Sequence, residues 1–248
     1  MFQKDIVYGM VQGAGLLADI AAPDDGGPLP VILSVHGGRW IREDRYTPSS
    51  IEVEQWAAFG FFAMNIEYRL VTCSPAPACY QDVQCAIRWV HAHAAEYNLD
   101  VNRIFMIGCS AGGHMVSLAA TLGDGRFPRT GGWADQPNTI AGVISVSGAY
   151  DLCALSWGSG WIPPGEPWDE ARKYGSPLTH VSANTKPMLL IHSDDDGSVP
   201  IDQAIRMDAA LTDAGAPHTF RHYTDKSHMG VYPHVIEEAR AFIASFDA

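Results

Sequence analysis

Three groups far apart in the chain have the types and order needed to cleave an acyl bond. Ser110 stands in Gly108-Cys109-Ser110-Ala111-Gly112, three aspartates follow at Asp194-Asp195-Asp196, and His228 lies in Lys226-Ser227-His228-Met229-Gly230. A serine hydroxyl is a poor nucleophile until an imidazole takes its proton, and the imidazole needs a carboxylate to fix its tautomer and stabilise its charge. Acyl transfer also needs donors waiting for the oxyanion. The backbone N–H of Ala111, next to the serine, supplies one, and the loop His36-Gly37-Gly38-Arg39 supplies others from Gly38 and Arg39.

These groups must be held by strands. The apolar run Ile104 to Ile107 enters the Gly-x-Ser-x-Gly turn, and an apolar, helix-like stretch from Met115 to Leu122 follows it, giving the strand, sharp turn and helix of a nucleophile elbow. Pro30 to Val35 is an apolar run of strand length that feeds the glycine loop, as expected of a strand covered on both faces. Residues 5–8 and 16–21 read as a hairpin around Gln12-Gly13-Ala14-Gly15, with a surface turn at 24–28. A helix is expected over 51–59, a strand over 61–66 and a long amphipathic helix over 80–97. Further strands fall at 140–146, 187–192 and 219–223, and helices at 201–214 and 233–246. Strands alternating with helices predict an α/β fold with a mostly parallel sheet covered on both faces. Residues 150–183 break the alternation with Trp157, Trp161, Trp168 and several prolines, and are expected to form a small cap or lid within one domain spanning 1–248.

Composition narrows the function classes. A net charge of -12 over 248 residues argues against nucleic acid and anionic membrane surfaces as partners. No stretch approaches a membrane span and the start lacks a signal-peptide core, so a cytoplasmic location is expected. The five cysteines, Cys73, Cys79, Cys85, Cys109 and Cys153, contain no Cys-x-x-Cys pair. Free thiols are expected, a Cys73 to Cys79 loop bridge being the alternative. His91 and His93 point to different faces of a helix and have no carboxylate beside them, so no metal is expected, nor any organic cofactor. His36 and His114 read as structural, and His218, His222 and His234 as surface residues.

His36-Gly37-Gly38-Arg39-Trp40, Glu67-Tyr68-Arg69-Leu70, Asp82 with Ile87-Arg88-Trp89-Val90, Gly108 to His114, and Asp194 to Pro200 together resemble the α/β-hydrolase fold-3 esterases, near the hormone-sensitive-lipase and feruloyl or acetyl-xylan esterase-like branches. The resemblance covers nearly the whole chain. It implies an eight-stranded α/β-hydrolase sheet, Ser110 as nucleophile, His228 as base, an oxyanion hole at Gly38, Arg39 and Ala111, and Asp196 as the acid, since the family acid stands four residues before the proline of the Val-Pro pair. Asp194 is the runner-up, and the spare carboxylates are expected to cap the loop or face solvent. Asp82 is expected to cap its helix or pair with Arg69. The reaction implied is hydrolysis of a small carboxylic ester through an acyl-enzyme, without a cofactor, by a protein that is a monomer or a homodimer. An amidase or arylformamidase would carry the same parts, and a non-catalytic ligand-binding member of the fold is the remaining class. Trp40, Trp157 and Trp161 are candidate substrate contacts. Arg39 departs from the glycine common at its position; its side chain either selects substrates with a negative group near the scissile bond, or reaches solvent or pairs with Glu43 or Asp44.

Overall fold

The computed structural model describes residues 1–24 and 26–247; the expected turn at 24–28 includes Asp25, which lies outside the described residues. The chain opens with β1 (Phe2–Val11) and β2 (Ala14–Ala21), then β3 (Leu29–Val35), α1 (Val53–Ala58), β4 (Phe62–Ile66), α2 (Ala78–Ala92), α3 (Ala94–Tyr97) and β5 (Leu99–Cys109). It continues through α4 (Ala111–Thr121), β6 (Gly142–Val146), α5 (Trp168–Tyr174), β7 (Met188–Ser193), α6 (Asp202–Ala214), β8 (His218–Tyr223) and α7 (Pro233–Ala244). The strands form one eight-stranded sheet in the order β1-β2-β4-β3-β5-β6-β7-β8. β2 runs antiparallel to both its neighbours and every other pair from β4 to β8 is parallel.

Continuous apolar strands arise because both faces are covered. Val31, Leu33 and Val35 of β3 with Ile104 and Met106 of β5 pack into the core beneath α2, α4 and α6. The alternate residues Ile32, Phe105 and Ile107 enter a second core under α1 and α7. This is period-two alternation with an apolar partner on each side.

Two expected elements differ in detail. The opening hairpin turns on two residues rather than four: Gln12 and Gly13 both take positive φ (51° and 84°), while Ala14 and Gly15 pair with Val11 and Met10. Positive φ at both central residues matches the twist of the flanking strands and lets them pair to the end. The helix expected over 80–97 breaks at His93, whose backbone N–H and ring Nδ1 both turn to the Trp89 carbonyl. Residues 150–183 contribute no strand; they form short 3-10 turns and α5, lying between β6 and β7 in sequence.

Candidate active site

β5 delivers Ser110 at the carboxyl edge of the sheet. The residue has φ 56° and ψ −115°, a strained pair for a residue with a side chain. Its backbone is fixed on both sides: its N–H donates to the Val146 carbonyl of β6 (2.8 Å) and its carbonyl accepts from His114 N–H (2.9 Å). The strain persists because β5, α4 and β3 approach closely: a Cβ on Gly108 would collide with the Gly112 backbone, and one on Gly112 with the Val35 carbonyl of β3. Ser110 Oγ has no hydrogen-bond partner among the described residues, and Ser110 lines a cleft of about 260 Å³.

The loop after β3 forms the facing wall. Tyr68 donates its hydroxyl to the carbonyls of Gly37 (2.6 Å) and His36 (3.2 Å), and its ring stacks on His36 at 4.0 Å. Gly37 N–H donates to Ser49 Oγ. Gly38 has φ 92°, and a Cβ there would strike the Arg42 carbonyl, so only glycine fits. With the carbonyls of this loop bound, the N–H groups of Gly38, Arg39 and Ala111 donate to no group among the described residues. They are available to a ligand oxygen.

His228 and Asp196 meet at 2.7 Å, Nδ1 to Oδ2. This bond places a proton on Nδ1 and leaves Nε2 free to accept one. Asp196 has four further restraints. Its Oδ1 accepts the N–H groups of Ser198 (2.8 Å) and Val199 (2.9 Å), and its Oδ2 lies 3.3 Å from Nε2 of the buried His192; the turn is also closed by Asp196 N–H to the Ser193 carbonyl. Burial opposes ionisation, but the hydrogen bonds from His192, His228 and Val199 outweigh it and hold the Asp196 carboxyl well below its usual range.

The adjacent acids do other work. Asp195 accepts from Ser193 Oγ (2.6 Å) and from the N–H groups of Lys226 and Ser227 (3.1 and 2.9 Å), tying the turn after β7 to the loop that carries His228. Asp194 is exposed. The next residue after the histidine is clamped as well: Met229 N–H donates to Ser147 Oγ (3.1 Å), and Cys109 Sγ donates to the Met229 carbonyl (2.7 Å). Burial pushes the Cys109 thiol far above its usual range, so it stays a neutral donor. Tyr68 could have been found in the sequence from the Glu67-Tyr68-Arg69-Leu70 motif. Ser147, His192 and the bond from Cys109 carry no local signal.

The tryptophans need correction. Trp40 and Trp161 are fully buried, and neither lines the cleft. Arg39 and Trp40 both have positive φ (55° and 62°), which turns the Trp40 side chain inward onto His114, Trp157 and Trp161. Trp157 is half-buried behind the cleft and donates its indole N–H to the Ser198 carbonyl at 3.0 Å. Arg39 does line the cleft, but it pairs with neither Glu43 nor Asp44; its guanidinium leans over Trp157 and reaches Ser198 Oγ. Asp82 caps no helix: Pro77 stands at that position, and Asp82 accepts both the guanidinium and the backbone N–H of Arg69. His114 is structural, bonded to the Gly175 carbonyl at 2.7 Å. Cys73 and Cys79 are unbonded. Among the described residues no group of three or more His, Cys, Asp or Glu is placed to hold a metal ion, and no helix is long and apolar enough to cross a membrane.

The BD-FAE family profile matches residues 18–211, from β2 to α6 and so across the elbow and the acid turn. The chain belongs to the BD-FAE family. It is 31% identical over 216 residues to "Probable carboxylic ester hydrolase LipM" of Mycobacterium tuberculosis, a match covering 81% of this chain and 49% of that protein. Esterase LipC of the same organism is 28% identical over 198 residues, covering 71% of this chain and 47% of that protein. This BD-FAE member therefore spans about half the length of these relatives. Among solved structures, a truncated form of a carbohydrate esterase from gut microbiota superimposes with a TM-score of 0.86 at 23% identity, over 99% of this chain and 95% of that one. A butyrate-bound thermophilic esterase from Thermogutta terrifontis gives 0.83 at 24% identity, over 98% and 94%. The fold is that of the α/β-hydrolases.

Proposed function

We propose that the protein hydrolyses small carboxylic esters through an acyl-enzyme on Ser110. The observation that carries this reading is the 2.7 Å bond from His228 Nδ1 to Asp196, made by two residues from different loops at the cleft where Ser110 stands on its strained turn. Ser110 Oγ attacks the ester carbonyl while His228 Nε2 takes its proton. The tetrahedral oxyanion is met by the N–H groups of Gly38, Arg39 and Ala111, which are fixed before substrate arrives. His228 returns the proton to the departing alcohol, then draws a proton from water, which attacks the acyl carbonyl; collapse breaks the bond to Ser110 Oγ, which takes the proton back from His228 as the acid leaves. Asp196 holds the imidazole in the one tautomer that permits both steps. The two mycobacterial relatives, named as an ester hydrolase and an esterase, support the same reaction. Residues 150–183 back the cleft from within the same domain in this reading, and the five free thiols favour a reducing compartment such as the cytoplasm.

A panel of p-nitrophenyl esters of rising chain length, with feruloyl esters and formanilides beside it, tests the reaction and separates ester from amide cleavage. Ser110→Ala is expected to lower ester turnover by about four to six powers of ten and to abolish labelling by a fluorophosphonate. Labelling that survives in Ser110→Ala overturns the assignment of the nucleophile.

A further inference from the structure

The Arg39 side chain is a charge without a counter-charge in the wall of the cleft. It is half-buried, it lines the same cleft as Ser110 and His228, and it forms no salt bridge among the described residues. What holds it is neutral: the guanidinium carbon lies 5.6 Å from the centre of the Trp157 ring, and one nitrogen is 3.4 Å from Ser198 Oγ. Trp157 is itself anchored by its indole N–H on the Ser198 carbonyl. Backbone geometry accompanies the placement: Arg39 has φ of 55°, and its side chain lines the cleft. A guanidinium aimed by an aromatic shelf and a hydroxyl, yet left unneutralised, is a recognition group for an anion.

Resting on the ester-hydrolase reading, we propose that the substrate is an ester carrying an anionic group, a carboxylate in the simplest case, which Arg39 binds on the Ser198 and Trp157 side of the cleft. The other charges in the wall fix that side. Glu43 also lines the cleft, against Gly37, where its Oε2 accepts from Ser49 Oγ (2.9 Å) and Thr47 Oγ1 (3.4 Å). A carboxylate placed there meets like charge. Arg42, also in the wall and exposed, adds a second positive charge. In a chain of net charge -12, these two arginines make the cleft locally attractive to an anion that the remaining surface repels.

The test compares kcat/KM for monomethyl succinate with that for dimethyl succinate at neutral pH, in wild type and in Arg39→Gln. Both substrates present the same methyl ester, and only the first is charged. Wild type is expected to prefer the charged half-ester by about tenfold or more, the lower end of what a charge-assisted hydrogen bond supplies at a half-exposed site. Arg39→Gln should bring the ratio of the two substrates close to one, whatever happens to either rate alone. In wild type the same preference should shrink as sodium chloride is raised while the diester rate holds, a measurement that needs no variant to fold. Diester turnover in wild type with no preference for the half-ester, or a preference that survives both Arg39→Gln and high salt, overturns the anion site and leaves the hydrolase reading standing. No turnover of either succinate ester or of p-nitrophenyl acetate refutes the hydrolase reading, and the anion site with it.

Discussion

The elbow side of the cleft and the aromatic segment packed behind it are built differently. On the elbow side the groups with chemistry are held by directed hydrogen bonds: Ser110 N–H to the Val146 carbonyl, Met229 to Ser147 Oγ and Cys109 Sγ, and the Asp196 carboxylate to two N–H groups of its own turn. Behind the cleft, residues 150–183 bring no strand; Tyr150 and Asp151 donate their N–H groups to Gln203 Oε1, and the rest packs through aromatic rings, with Trp161 4.8 Å from His114 and 5.7 Å from Trp40. A hydrogen bond to a strand fixes direction as well as distance, whereas ring packing fixes volume and tolerates rotation. Reaction geometry therefore belongs to the sheet side. The aromatic side backs the wall through Trp157, the shelf beneath Arg39. Substitutions on the first side should cost turnover far more than stability; those on the second should do the reverse.

The sharpest form of that contrast lies among the three neighbouring aspartates. Asp196→Asn leaves the side chain isosteric but makes it donate where it must accept, so the imidazole of His228 is held in the wrong tautomer. A loss of about four powers of ten in kcat is expected for the folded enzyme, together with some loss of the stability that the hydrogen-bonded carboxylate contributes. Asp195→Asn weakens the tie between the β7 turn and the His228 loop and should cost far less, and Asp194→Asn, at an exposed position, less again. Steady-state kinetics on one p-nitrophenyl ester ranks all three. A larger loss for Asp194→Asn than for Asp196→Asn would move the acid and sink the triad as assigned.

On the aromatic side the expected effect is thermodynamic. Trp161 is fully buried, and Trp161→Ala removes the ring that Trp40 and His114 pack against. A loss of about 3–5 kcal/mol of stability is expected, read by chemical denaturation. The kcat of the folded fraction should fall by less than about tenfold. If instead kcat collapses while the denaturation midpoint holds, the division between the two sides is wrong.

The same contrast explains what could be read from the chain alone. β5, the Gly-x-Ser-x-Gly turn and α4 are contiguous, so local pattern carried them, and the glycine loop after β3 was visible for the same reason. The order of strands and helices followed from apolar runs that must be covered on both faces. The acid was harder, because Asp194, Asp195 and Asp196 have the same chemistry and only the turn's hydrogen bonds separate them; a family resemblance was needed to choose. Trp40 misled because sequence adjacency to Gly38 and Arg39 suggested access to substrate, and nothing in the residue types announces the positive φ values that bury its ring. Ser147 acts on a residue 82 positions away, Met229, which only the fold brings near, and His192, though four residues from Asp196, reaches it only because the turn after β7 folds back.

The smallest effect expected is a slope in stability with pH, and it again separates the two sides. Burial beside Trp40 and Trp161 opposes the charged form of His114 more strongly than the Gly175 carbonyl favours it, and lowers its pKa from 6.5 to about 4. Between those values the unfolded chain takes up a proton that the folded chain refuses, so the contribution of a neutral His114 is complete above about pH 6.5 and drains as pH falls toward 4. The shift corresponds to roughly 3 kcal/mol over that interval. Asp196 acts in the same direction but lower on the scale: its folded carboxyl is held below the usual range, so its contribution stays in place until the pH drops under the unfolded value of 3.8. Unfolding midpoints from pH 7.5 to 4.5 should therefore fall less steeply in His114→Gln than in wild type, while Asp196→Asn should track wild type across that window. Parallel curves for wild type and His114→Gln would mean that the imidazole takes up its proton without disturbing the ring packing, and that the aromatic side is more yielding than its burial implies.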